Sequence, residues 1–219
     1  FFLLPLYTNL LSEFEAGVIF LIYTLLAFLN PVYAYGMNAA LFKFYNNKNY
    51  SFCTTTTTSL FSLFFSSFIL SSILILFSPF LNALIAGNNA SLNMINWFFW
   101  LSCILFFDSF SSRAFVLLRL QERPYYFLFI SFSNIVLSLF CNWLFIKQYS
   151  LSSYGAVLAM CVVSFIQAIL FLPIFVSSIK FKSFNFMLFK KMLSFALPFL
   201  PSALLLVLIS FSDRWFIKY

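Results

Sequence analysis

NWFFWLSCILFFDSFSSRAFVLLRL, residues Asn96 to Leu120, decides the fold. A helix needs about 20 mostly apolar residues to cross a hydrocarbon core roughly 30 Å thick, and this stretch exceeds that length with charge only at Asp108, Arg113 and Arg119. Five further stretches share the pattern: Gly17–Tyr45, Thr56–Ala86, Tyr125–Ile146, Ser152–Ser178 and Leu188–Ile217. The opening FFLLPLY reads as the last half of one more helix, ending near Tyr7. Of 219 residues, 63% are hydrophobic and 8% charged, with a mean hydropathy of +1.02. A soluble domain carries about 25% charged residues, so an aqueous globule is excluded. The expected fold is all-α, a polytopic bundle of transmembrane helices.

The net charge of +7 is a topology signal. Basic residues cluster at Lys43 and Lys48, at Arg113, Arg119 and Arg123, and at Lys180, Lys182, Lys190 and Lys191, in or beside every second loop. Excess Lys and Arg in short loops marks the cytoplasmic side, leaving Lys147, Arg214 and Lys218 on the outer side. Charges scattered over separate helix ends make no nucleic-acid patch. The chain has no histidine, and Cys53, Cys103, Cys141 and Cys161 form no CxxC pair. Neither a metal site nor a disulfide framework is expected, and three of these thiols fall inside spans, where they act as small packers.

The opening lacks a basic n-region and does not read as a signal peptide. Both ends look cut, and the chain reads as part of a longer protein: residues 1–180 as an N-terminal transmembrane lobe, 181–219 as a linker and the first helix of a second. Pro31 and Gly36 interrupt the second helix, Pro79 lies near the outer end of the third, and Pro198 with Pro201 breaks the last near its middle. Val32, Gly36, Ala40 and Lys43 share a face beyond the Pro31 kink, a hinge candidate, although close helix packing also explains small residues there.

Asp108 is the most unusual residue. By helix rise it lies about 16–18 Å from either end of its span, close to the bilayer midplane, where a charge costs about 2.5 kcal/mol or more. At 100° per residue Asp108, Ser112, Phe115, Arg119 and Glu122 fall near one line, with Ser111 beside it. Two readings are open: a hydrogen bond that locks helix packing, or a water-filled cavity in which Asp108 exchanges a proton or binds a coupling cation. Arg113 is offset from Asp108 by about 140°, so snorkelling or a contact to another helix accounts for it. Lys43, Arg119 and Arg123 converge on the cytoplasmic rim and suit a pyrophosphate group, although the topology rule alone also puts cations there. Asp213 and Arg214, at the outer end of the last helix, form either a gate contact or a solvated boundary.

LPLYTNLLSEFEAGV, the helix ending MNAALFKFYNN, SSRAFVLLRLQERPYYF and LFKKMLSFALPFLPSALLLVLISFSDRWFIKY together resemble bacterial polysaccharide flippases of the O-antigen or capsule branch. These belong to the multidrug/oligosaccharidyl-lipid/polysaccharide exporter superfamily. The resemblance spans nearly the whole chain, in order and spacing, and implies a MATE-like transporter of two six-helix lobes, of which this chain covers the first lobe and the start of the second. It implies a multi-pass protein of the bacterial inner membrane that moves an undecaprenyl-pyrophosphate-linked oligosaccharide between leaflets. Lys43, Arg119 and Arg123 are carried over as pyrophosphate-binding residues, with Lys where the family usually has Arg, and Asp213 and Arg214 as gate residues. Asp108 matches some members only.

The expected function is therefore a flippase and not an enzyme, rocking around a cationic cavity, with Asp108 and Ser112 as coupling or cavity residues. No cofactor is expected beyond a coupling proton or sodium ion. The partners are the lipid-linked oligosaccharide, membrane lipids and a glycan polymerase or other polysaccharide-assembly proteins. The alternatives are a lipid II flippase or cation-coupled drug antiporter of the same superfamily, and a membrane glycan polymerase or ligase. The last needs a sizeable outer loop, and the loops here are short.

Overall fold

A computed structural model describes residues 7, 10–45, 50–86, 95–149, 151–179 and 183–216, without the side chains of 83–86, 95 and 212–216. The described residues are helical throughout, with no strand: α1 (Glu13–Ala34), α2 (Met37–Tyr45), α3 (Phe52–Leu76), α4 (Ser78–Ala86), α5 (Ile95–Leu120), α6 (Pro124–Trp143), α7 (Ser152–Ser178), α8 (Phe186–Ala196) and α9 (Phe199–Phe216). A π-helical turn, Leu144–Gln148, extends α6. Six helical stretches among them are long and apolar enough to cross a membrane: Glu13–Tyr45, Phe52–Leu76, Asn96–Leu120, Pro124–Gln148, Ser152–Ser178 and Phe186–Phe211. Their outer faces carry exposed Phe65, Leu76, Phe132 and Val176, a surface that lipid satisfies and water does not. The molecule is a membrane protein by this measure. The expected half-helix before Tyr7 lies outside the described residues.

Local chemistry sets the helix ends. Ser12 and Glu15 form a capping box that starts α1, with the Ser12 backbone N–H donating to Glu15 Oε2 at 3.0 Å, satisfying donors the helix would leave free. Ser51 caps α3 by accepting from the Thr54 N–H, so this helix begins at Phe52, before the expected Thr56. Thr55, Thr56 and Thr58 then return their hydroxyls to carbonyls one turn back, which lets a fully buried polar run sit inside an apolar bundle. The same run holds neighbouring chain ends: Thr56 Oγ1 also donates to the Ser178 carbonyl at 3.0 Å, and the Asn185 N–H donates to Thr58 Oγ1.

The breaks differ from the expected ones. The helix passes through Pro31 and breaks at Tyr35 and Gly36, both left-handed with φ of 34° and 70°. Proline removes one hydrogen bond, that of the Ala27 carbonyl, without ending the helix. The expected third helix divides at Phe77, and α4 restarts at Ser78 with Pro79 in its first turn, where the missing N–H costs nothing. Pro198 does separate α8 from α9, nearer the start than the middle, while Pro201 sits in the first turn of α9, where its missing N–H costs nothing.

The helix α5 is the central post, packed against α7 and α3 most extensively and against α1, α2, α4 and α6 as well. The segment α8–α9 lies beside α2, α3 and α1. Its break meets the α1–α2 break: a Cβ on Gly36 would collide with the Ala196 carbonyl and press on Phe199. Gly36→Ala should lower stability by about 1–3 kcal/mol, the cost of a strained backbone position, read as a fall in melting temperature in detergent. An unchanged melting temperature would contradict this contact.

Candidate functional site

The polar face of α5 does not disappear into a helix contact; it opens into a cavity. Asp108, Ser109, Ser111, Ser112 and Phe115 line it from α5, with Asn30, Pro31 and Ala34 from α1, Asn134 from α6, Gln167 from α7 and Ala203 from α9. Its volume is about 470 Å³, within the range of small-molecule sites, about 300–1,000 Å³. Hydroxyls, amides and a carboxylate are among its lining groups, partners of the kind a buried water needs.

Each polar group reaches the cavity for a local reason. Asp108 is held by Ser164 of α7, whose hydroxyl donates to Oδ1 at 2.6 Å, its hydrogen-bond partner among the described residues. Ser112 accepts from Asn38 Nδ2 of α2 at 2.9 Å, just past the Gly36 break. Ser111 Oγ and Asn38 Oδ1 are buried without a hydrogen-bond partner among the described residues, an expense that a bound polar molecule offsets. Phe115 forms the apolar wall and is fixed edge-on by Phe127 and Phe171, with ring centroids 5.1 Å and 4.9 Å away.

The periodicity of α5 thus places Asp108, Ser111, Ser112 and Phe115 on one wall. Asp108 has a hydrogen bond to a neighbouring helix and also lines a cavity. Arg119 and Glu122 extend the same line but lie exposed at the helix end and in the turn beyond it. The contributions of Asn30, Asn38, Asn134, Ser164 and Gln167 were not anticipated. Asn134 and Gln167 carried a signal, since each is an amide near the middle of an apolar span.

Lys43, Arg119 and Arg123 are all exposed and stand at one end of the bundle. Gln121 Nε2 donates to Ser178 Oγ at the end of α7. Lys43 Nζ sits 3.8 Å from the Phe195 ring centroid on α8, and Arg119 Cζ lies 5.2 Å from the Phe127 ring. None of the three lines the cavity, whose described lining holds one charged residue, Asp108. The side chains of Asp213 and Arg214 lie outside the described residues. No group of three or more His, Cys, Asp or Glu stands close enough to hold a metal among the described residues.

Arg113 does not snorkel. It is the largest completely buried side chain, 0% exposed, on the face of α5 turned toward α3, where Phe106 and Phe110 meet Phe64. Its Cζ lies 5.9 Å from the Tyr35 ring, and Nε, Nη1 and Nη2 have no hydrogen-bond partner among the described residues. Comparisons with protein-family models, curated proteins and solved structures found no match.

A buried cation without a partner destabilises its host, so replacing it with an apolar side chain of similar length is neutral or stabilising, by about 1–4 kcal/mol in comparable cases. Arg113→Met should keep or raise the melting temperature of the purified protein. A large fall would mean that the guanidinium holds a partner.

Proposed function

We propose that the chain forms the first lobe, and the start of the second, of a two-lobe flippase that moves a lipid-linked oligosaccharide across the bacterial inner membrane. The observation that carries this reading is the open pocket at Asp108, lined by polar side chains between apolar helices, on the same helix α5 that ends at exposed Arg119 beside Lys43 and Arg123. The resemblance to polysaccharide flippases supplies the cargo, an undecaprenyl-pyrophosphate-linked repeat unit.

In this reading the basic end faces the cytoplasm, as the positive-inside rule requires. The pyrophosphate docks at the rim, where exposed guanidinium and ammonium groups offer charge-assisted hydrogen bonds. The sugar enters the polar cavity and the prenyl chain stays in lipid. Residues of the second lobe close the cavity from the other side, so that rocking of the lobes exposes it to each face in turn. The paired breaks at Gly36 and Ala196 give this motion its bend. Asp108 couples the cycle to a proton or a sodium ion, because its carboxylate is the charged group facing the cavity.

A second reading, a cation-coupled antiporter for organic cations, draws on the same carboxylate: an acidic cavity attracts positive substrates. Proteoliposomes containing the complete native protein separate the two. Transfer of a polyprenyl-pyrophosphate oligosaccharide to the outer leaflet supports the flippase, while transport of a cationic dye alone supports the antiporter.

Asp108→Asn should abolish transfer or uncouple it from the ion gradient; wild-type turnover in this variant would remove Asp108 from the coupling role. Alanine at Lys43, Arg119 or Arg123 should each raise the half-saturating cargo concentration about tenfold, given about 1.5–3 kcal/mol for a hydrogen bond to a charged group. Unchanged saturation in all three variants would place pyrophosphate recognition elsewhere.

A further inference from the structure

We infer that the cavity selects its sugar by charge: it accepts neutral or amine-bearing pyranose units and rejects acidic ones. The inference rests on the flippase reading for the identity of the cargo, but the selectivity comes from the lining itself.

Amide and carboxylate side chains recognise vicinal hydroxyls because each offers two adjacent hydrogen-bonding positions. The cavity presents four such groups, Asn30, Asn134, Gln167 and Asp108, with Ser109, Ser111 and Ser112 between them. Gln167 is largely buried and, like Ser111 Oγ, has no hydrogen-bond partner given to it by the folded chain among the described residues. Phe115 adds an apolar face that Phe127 and Phe171 hold in place, suited to the C–H face of a pyranose ring. Amides, hydroxyls and one ring together make a polyol site, whereas a site for a lipophilic cation would be dominated by aromatic surface.

The charge of the site decides which sugars fit. Asp108 lines the cavity and no Lys or Arg does so among the described residues. Arg113, five residues further along α5, is buried on another face beside Tyr35 and is absent from the lining. The rim cations sit at the helix ends, where Lys43 and Arg119 rest on Phe195 and Phe127. A hexuronate in the cavity would therefore meet a carboxylate with no neutralising partner, and the low dielectric of the bundle magnifies that repulsion. A free amine on the sugar would instead pair with Asp108. The phosphates remain at the rim, so the two ends of one cargo are read by opposite charges.

The test uses the complete protein in proteoliposomes and three polyprenyl-pyrophosphate trisaccharides that differ in one unit: a neutral hexose, a hexosamine with a free amine, or a hexuronate. The neutral and amine forms should cross at least about tenfold faster than the acidic form, and Asp108→Asn should remove the matching difference in binding of the free trisaccharides, read by saturation-transfer NMR with the protein in nanodiscs. Equal rates for acidic and neutral cargo in the wild type overturn the inference while leaving the flippase intact. If no cargo crosses, the flippase reading falls, and the inference is judged on binding alone: saturation-transfer NMR of the free trisaccharides with the protein in nanodiscs. Neutral and amine trisaccharides that bind, and weaken with Gln167→Ala, sustain the charge-selective site. Absence of sugar binding, or displacement of the sugars by none but lipophilic amines, overturns it.

Discussion

Two ionisable side chains on opposed faces of one apolar helix set the terms for the whole bundle. Asp108 and Arg113 are separated by about 140° around α5, and neither can face lipid without a cost of several kcal/mol. The helix must then be enclosed on every side that carries them. The packing follows: α3 and α2 cover the Arg113 face, while α1, α6, α7 and α9 surround the Asp108 face. The two enclosures differ in kind. One buries the arginine completely, with the Tyr35 ring 5.9 Å from its Cζ. The other is a cavity whose polar groups retain free hydrogen-bonding capacity.

The breaks in the long helices serve the same enclosure. A straight α1–α2 would carry Asn38 away from Ser112; the left-handed pair Tyr35–Gly36 redirects the chain so that the two hydrogen-bond at 2.9 Å. The absence of a Cβ at Gly36 lets the backbone of α8 come close enough for its own break at Leu197 and Pro198 to rest against the first. Near the basic end, hydroxyls fix what the breaks leave free: Thr56 to Ser178, Thr58 to Asn185 and Gln121 to Ser178. At the other end Tyr7 donates to Asn142, and Trp100 donates to Tyr154. The bundle is thus pinned at both ends, with the Asp108 pocket between them.

The spans were legible because lipid demands a long apolar run, and composition alone reports it: Ser152–Ser178 was read to the residue. The breaks were less so. The helix continues through Pro31, and the break four residues later depends on Gly36 meeting Ala196, a contact between segments far apart in sequence. The wall formed by Asp108, Ser112 and Phe115 was visible in the period of a single helix. The partners on other walls were not, since nothing local to Gln167 or Asn134 states which helix they face. Lys43, Arg119 and Arg123 are exposed near helix ends, and charge clustering alone could not distinguish a rim from a cavity lining. The structure puts all three at the exposed end, and the cationic cavity expected from the resemblance is, in the described lining, an acidic one.

The account turns on whether the space beside Asp108 is an aqueous compartment within the membrane. Single cysteines at Asn134 and Ser112, introduced after Cys53, Cys103, Cys141 and Cys161 are changed to alanine in the complete protein, can be challenged in sealed vesicles with a membrane-impermeant thiol reagent. An aqueous pocket gives labelling at both positions from the water phase and protection when lipid-linked oligosaccharide is added. Labelling by lipid-soluble reagents alone would contradict it, because the polar face of α5 would then be sealed by packing and no hydrophilic cargo could pass.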